Sequence, residues 1–291
     1  MRDEEPGRQG SRKRVSGASE SIAGQTILVT GATSGIGIET ARALAKKGAT
    51  VVVGARDARR GQAVVDEIVA GGGRAELLEI DMASLASIRQ AGDRILAAYP
   101  KLDVLVNNAG TAVSGRRLSP DGHELTWATN FLGPFLLTRL LLPLLKKSER
   151  PRVVNVGSEG HRAGRLDWEN LELARGYKTF RAYANSKLAL ALFTRELARR
   201  EPGIAAVVLH PGGIATKIWG AAPKPIPWIL NLVLPSAAKG AAPVVRLASD
   251  SELARVTGRY FNRFREAAPS PAARNDADAT RLWELAQRET S

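Results

Sequence analysis

The stretch that decides the fold is "QTILVTGATSGIGIETARALAKKGATVVVGARD", residues 25–57. It opens on the aliphatic, β-branched run Thr26–Val29 and turns at a cluster of glycines. An alanine-rich helical segment follows and closes at Gly48, and a second β-branched run begins at Thr50 and reaches Val53. Branched side chains suit a pleated, buried surface, whereas alanine and leucine suit a helix. The order strand, turn, helix, strand is a βαβ unit, and its two strands must be parallel.

The alternation continues along the chain. Residues 57–70 read as a helix stopped by Gly71, Gly72 and Gly73. A third strand lies in "AELLEID" (75–81) and a helix in "SLASIRQAGDRILAAY" (84–99). A fourth strand, "LDVLVNNAG" (102–110), runs into a loop, and a long helix carries Trp127 and Asn130. "RVVNVGSEG" (152–160) is a fifth strand, the "YANSK" helix starts near 183, and "IAAVVLHPGG" (204–213) is a sixth strand. Residues 236–249 are helical, and a short strand near Thr257–Phe261 closes the sheet at seven. Strands this apolar are covered on both faces, and right-handed crossovers give a Rossmann-type, doubly wound α/β fold with a mostly parallel sheet.

Residues 1–22 are polar and rich in Gly, Ser and charge, too poor in apolar surface to offset the entropy of ordering. They are expected to form a disordered arm, without the apolar core of a signal peptide. Residues 23–291 are expected to form one domain. Its 44% apolar and 24% charged composition is ordinary for a globular protein. A cytoplasmic location is expected. Cysteine is absent, which excludes disulfides, thiolate chemistry and cysteine-bound metals. No two of His123, His161 and His210 have metal-ligand spacing, so no metal is expected and none of the three is assigned to chemistry. The apolar stretch 131–145 is interrupted by Arg139 and Pro143 and reads as a core helix, not a membrane span.

The net charge of +13 has three readings: a solvated arginine-rich surface, attraction for a phosphorylated cofactor, or nucleic acid. The first is preferred. No groove-reading module or basic stripe interleaved with aromatics is present, so no specific nucleic-acid partner is expected.

Gly31, Gly35 and Gly37 have the spacing G-x-x-x-G-x-G, with Thr33, Ser34 and Ile36 between them. Missing side chains let backbone N–H groups approach a diphosphate, and the next helix points its positive end at the same anion. The alternative is a turn whose glycines serve packing alone. At the end of the second strand a carboxylate suits a ribose 2′-OH and a basic residue suits a 2′-phosphate. Arg56 stands there, followed by Asp57. Arg56 can grip a phosphate in bidentate fashion, so NADP(H) is favoured over NAD(H). A surface role for Arg56 with Asp57 as the ribose ligand is the alternative.

In "RAYANSKLALALF" (181–193), Tyr183 and Lys187 are four apart and share a helix face. An isolated phenol titrates near 10, too high for a base near neutrality, and a neighbouring ammonium would lower that value. Such a tyrosine can exchange a proton with a substrate oxygen as hydride moves at the adjacent carbon. Ser158, at the end of another strand, can hydrogen-bond the same oxygen.

"TGATSGIG", "NNAG", Asn130 in "TNFLGPFLLT", Ser158 in "VNVGSEG", "YANSK" and "HPGGIAT" occur in an order that resembles the short-chain dehydrogenase/reductase family over about residues 24–265. "ARALAKKGATVVVGARD" and "TNFLGPFLLTRLLLPLL" further resemble its retinol-dehydrogenase-like branch. The resemblance implies catalytic roles for Asn130, Ser158, Tyr183 and Lys187. Lys187 would also hold the nicotinamide ribose, and Asn130 would position a water leading from Lys187 to solvent. Asp81 and Met82 would neighbour the adenine. Asn107, Asn108, Ala109 and Gly110 would support the cofactor and the fourth strand, while Pro211, Gly212, Ile214 and Thr216 would line the nicotinamide end. The family often has two serines where this chain has Gly157-Ser158, so Gly157 is expected to loosen the strand end.

The segment at about 214–237 is proline-punctuated and apolar, with Trp219, Trp228, Ile229 and Leu232. It is expected to cover a hydrophobic substrate, with core packing or a subunit or membrane-surface contact as alternatives. The functional expectation is an NADP(H)-dependent oxidoreductase interconverting a carbonyl and an alcohol on a hydrophobic small molecule, with a homo-oligomer allowed. The alternatives are a non-catalytic dinucleotide-binding regulator and a C=C reductase on the same fold.

Overall fold

The computed structural model describes residues 22–212 and 236–291. Eight strands form one sheet: β1 (Thr26–Thr30), β2 (Thr50–Ala55), β3 (Arg74–Glu79), β4 (Val104–Asn107), β5 (Arg152–Val156), β6 (Ala205–His210), β7 (Arg259–Asn262) and β8 (Arg265–Ala267). Their order across the sheet is β3-β2-β1-β4-β5-β6-β7-β8. The first seven strands pair in parallel, and β8 returns antiparallel along β7. Strand order reverses direction at β1 and β4, where the chain, having moved outward to β3, crosses back. A ligand crevice is expected beyond the carboxyl ends of these two strands.

The described helices are α1 (Gly35–Lys46), α2 (Ala58–Ala70), α3 (Leu85–Ala98), α4 (Leu125–Leu145), α5 (Thr179–Arg200), α6 (Ala237–Ser249) and α7 (Asp276–Glu289). Alternate strand residues feed two separate cores. Ile27, Val29, Val51, Val53, Val104 and Val106 pack with α1, α2 and α6. Leu28, Val52, Leu105 and Val153 pack on the other face with α3, α4, α5 and α7. The second core holds an aromatic run in which Phe135 meets Phe193 at 5.5 Å and Trp283 at 5.0 Å, tying α4, α5 and α7 together. Among the described residues, α4 alone is long and apolar enough to cross a membrane by length and composition; 72% of its most apolar window is buried in the protein.

The sequence reading needs two additions. The sheet has eight strands and not seven, because the chain reverses at Arg263 and Phe264 and adds β8 at the edge. Arg263 makes that turn at φ 54 without a glycine, so nothing in the local sequence announced it. Helix α7 was also unforeseen. Its signals were present: Asn275 accepts from the Asp278 N–H at 3.1 Å, Asp276 and Asp278 occupy the first turn, and Ala279, Leu282, Trp283 and Ala286 form its buried stripe. Residues 1–21 of the expected arm and all but the last two of the expected lid at 214–237 lie outside the described residues, as do Ile214 and Thr216.

Candidate active site

The glycine turn joins β1 to α1. Gly31 sits at φ 65 and Gly35 at φ 54, a region that penalises any side chain. Space is equally restrictive. A Cβ on Gly31 would lie 2.9 Å from the Ala109 Cα, and one on Gly37 would collide with the Gly31 carbonyl and the Asn108 amide. The turn is thus laid against the loop after β4. Thr30 Oγ1 receives the N–H groups of Asn108 and Ala109, both at 3.1 Å. Asn108 Nδ2 donates to the Thr30 carbonyl at 2.8 Å and the Gly31 carbonyl at 3.3 Å. Asn108 therefore acts by fastening the two loops together.

Helices α2, α3 and α7 are capped by their own side chains: Asp57 accepts from the Arg60 N–H, Ser84 from the Ser87 N–H and Asn275 from the Asp278 N–H. Ser34, at the start of α1, makes no such bond, and the first turn of α1 holds no acidic residue. The amino end of α1, with Thr33, Ser34, Gly35, Ile36 and Gly37, keeps backbone donors for an anion. This cradle fits the diphosphate of a nicotinamide dinucleotide. Beside it, Arg56 is exposed at the end of β2 and Arg60 Nη2 reaches the Thr33 carbonyl at 3.1 Å. Arg60 is a basic neighbour that sequence reading passed over. Asp57 spends Oδ1 on the α2 cap.

Asp81 accepts from the Ala83 N–H at 3.0 Å through its own carboxylate, and the Met82 side chain is buried in the second core. Asn107 looks away from the crevice. Its Nδ2 donates to Asn155 Oδ1 at 2.8 Å and Thr138 Oγ1 at 3.1 Å, and Asn155 Nδ2 donates to Thr194 Oγ1 at 2.8 Å. The result is a buried polar ladder across β4 and β5 that anchors α4 and α5 to the sheet. Gly157 does not loosen the end of β5. Its N–H donates to the Leu209 carbonyl at 2.7 Å, and a Cβ would sit 2.7 Å from Val208 Cγ2. The missing side chain lets β5 close tightly on β6.

Beyond β5, Ser158 opens a short 3₁₀ turn, Glu159–Ala163, and its Oγ accepts from the Gly160 N–H at 3.0 Å. Its hydroxyl also hydrogen-bonds the Tyr183 phenol. Tyr183 and Lys187 lie one helical turn apart on α5, both buried, with Lys187 Nζ 5.8 Å from the tyrosine ring centre. Lys187 Nζ donates to the Val156 carbonyl at 2.9 Å. Gly110 leaves room above this pair, since a Cβ there would stand 3.4 Å from both Lys187 Nζ and Asn130 Oδ1. Four elements thus deliver Gly110, Asn130, Ser158, Tyr183 and Lys187 to one place.

Asn130 occupies a π-helical turn, Ala128–Leu132, inside α4; such single turns recur at functional positions. Its side chain is fully used. Oδ1 accepts from the Thr111 N–H at 2.8 Å, and Nδ2 donates to the Thr111 carbonyl at 2.9 Å and to Ser186 Oγ at 3.0 Å. Asn130 thereby pins the loop after β4 to α5.

The electrostatics differ from the sequence expectation in one respect. Burial raises the Tyr183 phenol above its ordinary value, and the Ser158 bond opposes this. Burial pushes Lys187 down to about 8, so it keeps its charge at pH 7 and loses it in mild alkali. The neighbouring amine does not by itself produce an acidic phenol, because desolvation acts on both groups. At the far end of the crevice Pro211 and Gly212 are buried, and Gly212, at φ 103, lies against the Arg263 guanidinium.

Outside the crevice the fold gathers a group that spacing did not reveal. Donor atoms of His123, Glu172 and Glu289 lie within 4.8 Å of one another. His123 Nδ1 and Glu172 Oε1 are bonded at 2.7 Å, and this bond, against the opposing effect of burial, raises the imidazole pKa above its ordinary value.

A profile of the family described as short chain dehydrogenase matches residues 25–226. The chain is 39% identical over 283 residues to human retinol dehydrogenase 13, covering 90% of this chain and 83% of that protein. It is 41% identical over 278 residues to mouse polyprenol dehydrogenase, covering 89% of this chain and 82% of that protein. A short chain dehydrogenase from Shigella flexneri, solved with NADP, superposes with a TM-score of 0.69 at 27% identity, over 84% of this chain and 99% of that one. The matched span contains the glycine cradle, Ser158, Tyr183 and Lys187, and the chain belongs to the short-chain dehydrogenase/reductase family, in its retinol-dehydrogenase-like branch, as an oxidoreductase acting on CH–OH groups.

Proposed function

We propose that this protein is an NADP(H)-dependent oxidoreductase that interconverts a carbonyl and a primary or secondary alcohol on a hydrophobic small molecule, with Tyr183 as its acid and base. The observation that carries the reading is the bond between the Ser158 hydroxyl and the Tyr183 phenol beside the buried amine of Lys187. A phenol and a hydroxyl joined in this way can converge on one substrate oxygen. The phenol holds its proton through neutral pH, because burial raises its pKa. Tyr183 is therefore poised to donate to a carbonyl oxygen in reduction. In oxidation the same phenolate would take the alcohol proton.

The dinucleotide, held by the Gly31–Gly37 turn, the loop Asn108–Gly110 and the Pro211–Gly212 end, supplies or accepts the hydride when bound. Lys187 lies beside the Tyr183 ring and holds its amine next to the space at Gly110. Asn130 keeps that loop in register through its three bonds to Thr111 and Ser186. NADP(H) is supported by Arg56 and Arg60 beside the cradle and by the commitment of Asp57 to capping. It is supported further by the NADP and NADPH complexes among similar solved structures. The relatives named for retinol and polyprenol support a hydrophobic substrate.

The test is a panel of aliphatic and isoprenoid carbonyls and alcohols, monitored by nicotinamide absorbance with NADPH and NADH in parallel. The expected result is turnover with NADPH exceeding that with NADH, and loss of that preference in an Arg56→Ala, Arg60→Ala double variant. Product analysis separates carbonyl reduction from C=C reduction. No turnover on any carbonyl or alcohol, with dinucleotide bound, would contradict the proposal.

A further inference from the structure

His161 follows Ser158 by three residues and is almost fully buried, with 1% of its surface exposed. Its ring makes two bonds, and each fixes one nitrogen. Nδ1 lies 2.7 Å from the Ser158 carbonyl, which can only accept. Nε2 lies 3.1 Å from the Ser270 amide, which can only donate. The imidazole is therefore neutral and carries its proton on Nδ1. The ring joins the turn that presents the Ser158 hydroxyl to a segment 109 residues later in the chain.

The same 3₁₀ turn grips that distant segment with two more side chains. Arg162 Nη2 donates to the Ala268 carbonyl at 2.8 Å. Glu159 accepts from the Tyr260 hydroxyl and pairs with Arg162 at 2.7 Å. The Tyr260 ring packs against His161 with centroids 4.9 Å apart. Ser270 is itself buried, and its hydroxyl accepts from the Ala273 N–H. The strand-end turn and residues 260–270 are thus one locked unit.

We propose that His161 is a positioning residue that holds Ser158 in its working orientation by bridging the Ser158 carbonyl to the Ser270 amide, making the segment after β8 part of the active-site scaffold. This rests on the role of Ser158 proposed above. The bridge exists only with a neutral ring. Protonation would set an Nε2–H against the Ser270 N–H, two donors face to face in a buried site, and this repulsion would push the ring off both the Ser270 amide and the Ser158 carbonyl, a repulsion that an asparagine at the position cannot develop. The groups facing the ring act in both directions: Arg162 and burial disfavour the proton, Glu159 and the Ser158 carbonyl favour it, and His210 faces it with its own burial-lowered pKa. Burial dominates and holds His161 below its ordinary 6.5.

The experiment compares kcat, KM for cofactor and the pH profile of the full chain with His161→Asn, His161→Gln, His161→Phe and Ser158→Ala. An asparagine amide superposes on the Nδ1 side of the ring and keeps the donor to Ser158; a glutamine amide reaches the Nε2 side and keeps the acceptor for Ser270. His161→Phe is expected to lose about tenfold in kcat, the size of one well-placed hydrogen bond, with cofactor KM unchanged. His161→Asn should recover most of that loss, and His161→Gln should not. The wild type should show an acid limb in kcat below pH 6.5 that is absent from His161→Asn. If His161→Phe does not fold, the Asn and Gln variants still decide, since they differ in which end of the strut survives. Equal kcat in those two variants, or an acid limb unchanged in His161→Asn, would overturn the proposal. Wild-type turnover in Ser158→Ala would instead overturn the reading of the site on which it rests.

Discussion

The two sides of the crevice are built from different materials. The dinucleotide side, where β1 meets α1 and the loop after β4, is made of backbone. Its shape comes from Gly31, Gly35 and Gly37, and the side chains of Thr30 and Asn108 fasten it to the loop after β4. The chemical side, beyond β5 and along α5, is made of polar side chains: the half-buried Ser158 and the buried His161, Tyr183, Lys187 and, from α4, Asn130. A backbone cradle binds an anion whose geometry never changes. A proton-transfer site needs groups whose pKa values are moved by burial and by one another. The difference teaches that changes on the first side should act on affinity, and changes on the second on rate.

Lys187 lies on the seam and offers the hardest test of that division. Lys187→Ala is expected to lower kcat/KM by about a thousandfold, within the range of general acid–base effects, and to weaken cofactor binding as well. Steady-state kinetics and a binding titration check both parts. A variant that loses rate with unchanged affinity would move Lys187 wholly to the chemical side.

Gly31→Ala probes the backbone side alone. The new Cβ would meet the Ala109 Cα at 2.9 Å at a φ of 65, a strained conformation worth about 1–3 kcal/mol. Cofactor affinity should fall by about tenfold to a hundredfold. The rate at saturating cofactor should stay within a few-fold of wild type, which a cofactor titration of kcat would reveal.

Asn155→Ala asks whether the polar ladder beneath the site belongs to either side. It removes the acceptor of Asn107 Nδ2 and the donor to Thr194 inside the sheet. Denaturant unfolding should show a loss of about 1–3 kcal/mol, with kcat and cofactor affinity both retained.

A further expected effect is a pH dependence of stability. Lys187 titrates at about 8 in the folded chain against 10.5 ordinarily, so between those values the unfolded chain holds more protons. Stability is therefore penalised below pH 8 and recovers as pH rises toward 10.5. Denaturant unfolding at pH 8 and pH 10 should show that recovery in the wild type and a weaker one in Lys187→Met.

The same division explains what could be read from the sequence. The glycine cradle was legible because only glycine satisfies Gly31 and Gly37 where they stand, so spacing alone reports the geometry. The sheet as far as β7 was legible because each strand carries its own aliphatic run. The Tyr183–Lys187 pair was legible because helical periodicity puts it on one face. The bond between Ser158 and Tyr183 joins residues on different elements, and only the motif order of a family brought them together beforehand. His161 gave no signal, because its partners are the backbone of Ser158 and the amide of Ser270, and any residue type offers those. β8 was missed for a similar reason, since its turn rests on Arg263 at φ 54 where a glycine would have given notice. Asn107 was expected to support both the cofactor and the fourth strand, and its side-chain bonds serve the strand, in the ladder inside the sheet.

The central claim is that the Tyr183 phenol exchanges the proton that accompanies hydride transfer. The most direct measurement is single-turnover nicotinamide absorbance with Tyr183→Phe, paired with cofactor fluorescence on the same protein. The account predicts that the hydride-transfer signal falls by about a thousandfold or more while cofactor binds as tightly as to the wild type. Transfer at the wild-type rate in that variant would contradict it.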